Sequence, residues 1–217
     1  MPHMEGHNER TNSACRMLSR ISLLLLLLAA PVAATTVQQV AFADLVERAE
    51  LIVEGRVTRV YARYDDEGRF IWTHVEVTVA DVLKGQTEAD TLHLKFMGGT
   101  VGDMTLEVSA MHYPAEDEVG IYFVESASVQ QMNPLVGWDQ GHFKVQPGEE
   151  PIVTTANNLT VVDISDAPLT DFGISRGIAH GVRTRSDDSP DTAMTLSAFK
   201  ARVDAQVNRG TPNVHDE

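Results

Sequence analysis

Histidines and carboxylates are the residues of this chain best suited to chemistry, and their spacing argues against most of it. Of eight histidines, His3 and His7 lie at the very start, while His74, His93, His112, His142, His180 and His215 are scattered along the chain. Among these six no H-x-H, H-x-x-x-H or H-E-x-x-H spacing places two imidazoles on one face of a strand or helix, and His3 and His7 fall in the N-terminal segment discussed below, so no metal ligands are assigned and no cofactor is expected. A hydrolytic nucleophile is equally hard to find. There is no G-x-S-x-G elbow, and the single cysteine, Cys15, falls in the N-terminal segment discussed below. The carboxylates gather in loops, among them Asp65-Asp66-Glu67 and Glu116-Asp117-Glu118, where solvation leaves an acid/base pair untuned. Gly98-Gly99 lacks the helix and lysine of a phosphate loop and reads as a tight turn or corner. No catalytic residue is therefore assigned, and the chain is expected not to be an enzyme.

What remains is surface able to recognise something. Phe70, Trp72 and His74 alternate on the polar side of one predicted strand, and Trp138 and His142 sit in the glycine-rich segment NPLVGWDQGHFKV, residues 133–145. Large aromatics beside polar groups suit the binding of a sugar or a protein, so Trp72, His74, Trp138 and His142 are the candidate binding residues. Packing roles compete with this reading: Trp72 capping an open barrel end, Trp138 filling a gap against the tail. His74 and His93 fall on adjacent predicted strands on the same polar face, either as solvated histidines or as part of an enzyme assembled from distant residues.

These side chains need elements to carry them. Phe42, Leu45, Val46 and Ala49 fall at i, i+3, i+4 and i+7 and predict a short amphipathic helix. From Leu51 the period becomes two, and the apolar register slips by one at Val60, which predicts a bulge near Thr58 and Arg59. Asp65-Asp66-Glu67-Gly68 has turn chemistry, and Ile71, Val75, Val77, Val79 and Leu83 then share a face. A strand of that length must coil, which points to a small barrel. Further strands are expected around 92–96, within 101–108, over 119–124, from Phe143, and around 152–153 and 159–162, with Pro147-Gly148 as a hairpin turn. The stretch GIYFV, residues 120–124, is apolar on both faces and reads as central. Residues 163–194 are rich in Gly, Ser, Asp and Pro and are expected as a loose linker. Thr195 precedes Leu196, Phe199, Val203 and Val207, the spacing of a C-terminal helix over 195–210.

Arg16 and Arg20 precede the apolar run ISLLLLLLAA, and Pro31-Val32-Ala33-Ala34 follows. This is the pattern of a signal peptide over 1–34, cleaved after Ala34, too short to span a bilayer. The expected protein is exported to the periplasm or beyond, with no cysteine and no membrane association past its signal. The net charge is −14, and 1–34 carries more Arg than Glu, so the remainder is more acidic still. Such a polyanion excludes nucleic acid as a partner.

Four stretches together, FADLVERAELIVEGRVTRV, WTHVEVTVADVLKG, LHLKFMGG and NPLVGWDQGHFKV, resemble a group of secreted bacterial β-barrel proteins, some encoded beside matrixin-type zinc metalloproteases. The resemblance covers residues 42–145. It implies a mainly β fold with a small closed or partly open barrel of the oligonucleotide/oligosaccharide-binding (OB) type over 35–162, as in netrin-like domains and tissue inhibitors of metalloproteinases. Where the family pattern would have Gly-Glu before the central strand, this chain has Asp117-Glu118. The zinc-chelating N-terminal cysteine of the animal inhibitors has no counterpart here, so that mechanism does not transfer. The function expected is an exported binding module, partner or inhibitor of a secreted metalloprotease. A carbohydrate or cell-wall binding barrel using Trp72 and Trp138 is the alternative, and a hydrolase or metal enzyme the third reading.

Overall fold

The computed structural model describes residues 37–166, 169, 173–185 and 192–210. The expected signal peptide and residues 167, 168, 170–172 and 186–191 of the expected linker lie outside these.

The helix predicted from Phe42, Leu45, Val46 and Ala49 is α1, Phe42–Arg48, and all four residues are buried. Seven residues are too few for a helix to persist alone, so tertiary contacts hold both ends. Phe42 meets Phe123, Phe143 and Phe199 edge-on, with ring centroids 6.0, 6.4 and 5.8 Å away. At the other end the Lys84 ammonium donates to the carbonyls of Val46, Glu47 and Ala49 at 2.7, 2.8 and 2.7 Å. A cation thereby fills the unpaired acceptors of a helix C-terminus. Gly85 follows at φ +81 because a Cβ there would lie 2.5 Å from Glu50 O. Replacing Lys84 with Met, which keeps the stem and removes the donors, is expected to lower unfolding stability by about 2 kcal/mol in urea titrations. A change below about 0.5 kcal/mol would mark the three contacts as incidental.

The chain then runs out and back as β1 (Leu51–Tyr64) and β2 (Ile71–Lys84), 14 residues each. The slip predicted near Thr58 is a bulge: Val57 pairs with Val77 and Arg59 with Glu76, which leaves Thr58 over. Two further shifts, between Ile52 and Val53 and between Glu54 and Gly55, turn Leu83 toward the helix side while Val75 and Val77 face the opposite core. Each bulge adds bend and twist to the hairpin. At its tip Asp65 Oδ1 accepts hydrogen bonds from Arg69 N (2.6 Å) and Phe70 N (3.2 Å).

The remaining strands are β3 (Thr91–Met97), β4 (Gly99–Val101), β5 (Met104–Leu106), β6 (Val119–Val124), β7 (His142–Gln146), β8 (Ile152–Thr155), β9 (Thr160–Ile164) and β10 (Val182–Arg185). The strand expected within 101–108 is β5, and it pairs with a second short strand, β4, that the sequence reading does not include; Gly102 at φ +58 turns the chain between Val101 and Met104. Eight strands make one sheet in the order β10-β9-β8-β7-β6-β1-β2-β3, and β4 and β5 pair apart from it. Among the described residues β3 and β10 do not meet, so the sheet is open rather than closed.

The centre of this sheet is buried on both faces, which accounts for the apolar run in β6. One core joins Ile52, Ile121, Phe123 and Phe143 to α1 and to α2 (Leu196–Gly210). The other gathers Val53, Val57, Val75, Leu94, Phe96 and Tyr122 within the curl of β1, β2, β3 and β6. Two cores on opposite faces are not the single interior of a closed barrel. Helix α2 starts as predicted, with Thr195 Oγ1 accepting from Ala198 N (3.2 Å), and buries Phe199 and Val203. Lys200 bonds Asp81 Oδ2 at 2.8 Å and also pairs with Glu54, fixing the helix to the first hairpin. Stretch 163–194, expected as a loose linker, contributes Ile164, Ala179 and Met194 to the core and β10 to the sheet. The fold is thus mainly β, with a short helix ahead of the sheet and a longer one after it.

Candidate functional site

The outer face of β1, β2 and β3 carries two of the four residues singled out above. Strand alternation puts Arg59, Tyr61 and Arg63 of β1, Trp72, His74 and Glu76 of β2, and His93 and Lys95 of β3 on one side. His74 stands directly between Tyr61 and Lys95 across the ladders, and Glu76 between Arg59 and His93. The Tyr61 and His74 rings stack at 5.1 Å and 8°, and the Arg59 guanidinium lies over Tyr61 at 4.4 Å. Arg63 Nε donates to His74 Nε2 at 3.0 Å. Lys95 Nζ sits 4.5 Å above the Trp72 ring and donates to Gln130 Oε1 at 2.8 Å. The face is therefore a run of cations laid on aromatic rings.

Its electrostatics are unusual for a chain so acidic. Arg59 has Glu76 at 3.7 Å, but among the described residues no carboxylate lies within 4 Å of Arg63 or Lys95. Partial burial, and then the charges of Arg63, Lys95 and His93, hold the His74 imidazolium below the ordinary histidine range, opposed only by Glu76. Nε2 of His74 accepts the Arg63 hydrogen bond, a contact that itself disfavours a proton on that nitrogen. Trp72 is only 7% exposed, with Lys95 across its face. Phe70 is exposed at the hairpin tip beside Arg69.

Trp138 and His142 lie elsewhere and do not join this face. Gly137 and Trp138 take consecutive left-handed conformations, both at φ 62, and open a 3-10 turn over Trp138–Gly141. The buried partners of that turn are its structural content. Gln140 Oε1 accepts from Val40 N (2.8 Å), and its Nε2 donates to the carbonyls of Gln38 (2.9 Å) and Gly137 (3.0 Å). Asp139 accepts from His112 Nδ1 at 2.6 Å. His142 is turned inward: Nε2 donates to Glu118 Oε1 at 2.6 Å and the ring stacks on Tyr122 at 5.3 Å.

Glu118, the residue before β6, is the hub of a largely buried polar group that joins Tyr122 of β6 to His142 and Lys144 of β7. It also accepts from Tyr122 Oη at 3.2 Å and lies 3.7 Å from Lys144 Nζ. Burial pushes its carboxyl up, but the hydrogen bond and charge of His142, with Lys144 and Tyr122, outweigh this and hold it below the usual range. Burial and the Glu118 charge push the Tyr122 phenol far up. A cleft of about 500 Å³ opens beside this group, lined by Glu54, Arg56, Asp117, Glu118 and Lys144 among others. Asp117 takes the left-handed φ of 66, a conformation that favours glycine. Asp117→Gly is expected to hold stability within about 0.5 kcal/mol, while Asp117→Val loses roughly 1–2 kcal/mol, since a β-branched residue pays the full strain. Equal melting of the two variants would contradict this.

Among the described residues, no three His, Cys, Asp or Glu side chains are placed to hold a metal ion, and no helix is long and apolar enough to cross a membrane. Comparison with family models, curated proteins and solved structures returned no match.

Sequence alternation located the face through Trp72 and His74 but missed its cations. The signal was present: R-x-Y-x-R over Arg59, Tyr61 and Arg63, on the polar side of a strand in an acidic chain. Lys84, Glu118 and Gln140 left no such mark, because each acts on groups distant in sequence.

Proposed function

We propose that this chain is an exported, non-enzymatic binding module on a partly open, OB-like sheet, and that the outer face of β1, β2 and β3 engages a secreted protein. The observation that carries the reading is the row of Arg59, Arg63 and Lys95 beside Tyr61, Trp72 and His74, with two of its three fixed cations lacking a carboxylate within 4 Å among the described residues. Such charges are left without intramolecular partners at a surface that meets an opposite charge. Arg and aromatic side chains are the residues enriched where proteins bind one another. Export rests on the N-terminal pattern, and a secreted metalloprotease as partner rests on the resemblance.

A neutral-sugar platform is less well served. Stacking a sugar needs an open ring face, and that of Trp72 lies beneath Lys95. Hydrolysis has two imidazole–carboxylate pairs to draw on, His112 with Asp139 and His142 with Glu118, but among the described residues no serine or threonine hydroxyl is hydrogen-bonded to either imidazole.

The test is capture by the full chain, tagged at its C-terminus and exported by its own host, with bound proteins identified at low and at high salt. A co-exported partner held by the parent and lost by the Arg63→Glu/Lys95→Glu double variant is the expected result. Capture that survives both reversals would move the site off this face, and no capture at all would end the binding reading.

A further inference from the structure

Strand β3 ends the sheet. Among the described residues its backbone finds a partner beyond β2 only at its last position, where Met97 N donates to Met132 O at 2.7 Å. The backbone groups of 91–96 that point away from β2 thus have no backbone partner among the described residues, the condition of an open edge. On the recognition face this edge shows His93, exposed, and Lys95, without a carboxylate within 4 Å. His93 and Lys95 are two residues apart, about 6.8 Å along an extended strand. Alternate side chains of a strand laid against β3 have the same repeat and stand opposite them.

We infer that β3 is a strand-addition site for an extended acidic segment of a partner protein, one with Asp or Glu at alternate positions. This rests on the binding reading above and names the chemistry of the partner. Backbone pairing along 91–96 supplies affinity, and the carboxylates facing His93, Lys95 and the more distant Arg63 supply selection. Lysine on an edge strand also guards against self-association, and both effects run together here: the same cations that repel a basic strand admit an acidic one. An acidic polysaccharide meets the charges but has no amide groups to pair with the edge, so the two ligands are separable.

The experiment uses the full exported chain and a synthetic peptide of about twelve residues alternating Glu and Thr. A peptide of the same composition with its Glu in one block serves as control, and polygalacturonate as the acidic glycan. The alternating peptide is expected to bind at low salt and slow amide hydrogen exchange across 91–96. The blocked peptide should bind about tenfold more weakly, as should the alternating peptide to Lys95→Glu. No binding, or binding with unchanged exchange at β3, overturns the inference, as does polygalacturonate slowing the same amides equally. If host capture depends on Arg63 and Lys95 while the peptide leaves β3 unprotected, the edge fails and the binding face stands.

Discussion

Glu118→Ala is expected to lower unfolding stability by about 3–5 kcal/mol, the range for removing one partner of a buried ion pair. The loss is large because the carboxylate, 11% exposed, answers three groups together: His142 at 2.6 Å, Tyr122 Oη at 3.2 Å and Lys144 at 3.7 Å. Its removal strands the inward imidazole and a fully buried phenol without their acceptor. The pH dependence has a definite sign. The folded carboxyl titrates below its unfolded value near 4.5, so its contribution is complete above that value and is lost as pH falls through the folded one. Chemical denaturation between pH 7 and pH 3 should show a steep acid limb in the parent and a shallower one in Glu118→Gln. An identical limb in both would mean that other carboxylates carry the acid sensitivity.

Gln140→Leu is expected to lose about 3 kcal/mol, although the residue has no charge and leucine is close to it in volume. Its amide makes three hydrogen bonds within the protein, two of them to the backbone of Gln38 and Val40. Leucine leaves Val40 N and both carbonyls without these partners in a site that is 1% exposed at Gln140. Gln140→Glu separates the roles, because it keeps an acceptor for Val40 N and loses the donors. Its second oxygen would face the Gln38 and Gly137 carbonyls in a buried site, so it should be at least as destabilising as Gln140→Leu at neutral pH. A leucine variant as stable as the parent would show that the segment is held by its other contacts.

Periodicity carried the legible part of the fold. Helix α1, the bulge at Thr58, the central strand in GIYFV, the turn at Pro147-Gly148 and the Thr195 cap each depend on residues a few positions apart, and each appears where its pattern placed it. Whether the sheet is closed or partly open is not decided by the sequence, because alternation reports that a face is buried without saying by what. Ile52 faces the helices and Val53 the second core, yet both read as strand. His142 shows the same limit at the site: a strand start with polar neighbours suggested surface, while its partner Glu118 lies 24 positions earlier. Trp72 falls on the side of β2 that alternation assigns it, yet it is 7% exposed, because the lysine that covers it comes from the neighbouring strand.

The segment from Gln38 to Ala41 is stitched to chain that comes much later. Gln39 Nε2 donates to Ile178 O, 139 positions on, Val40 N to Gln140, 100 positions on, and Phe42 N to His180 O. Nearly the whole domain must therefore emerge and close as one loop before its first residues find a place. Pairings of such long range are formed late and make folding slow. The first segment of this chain therefore locks only once residues 178–180 are in place to receive it.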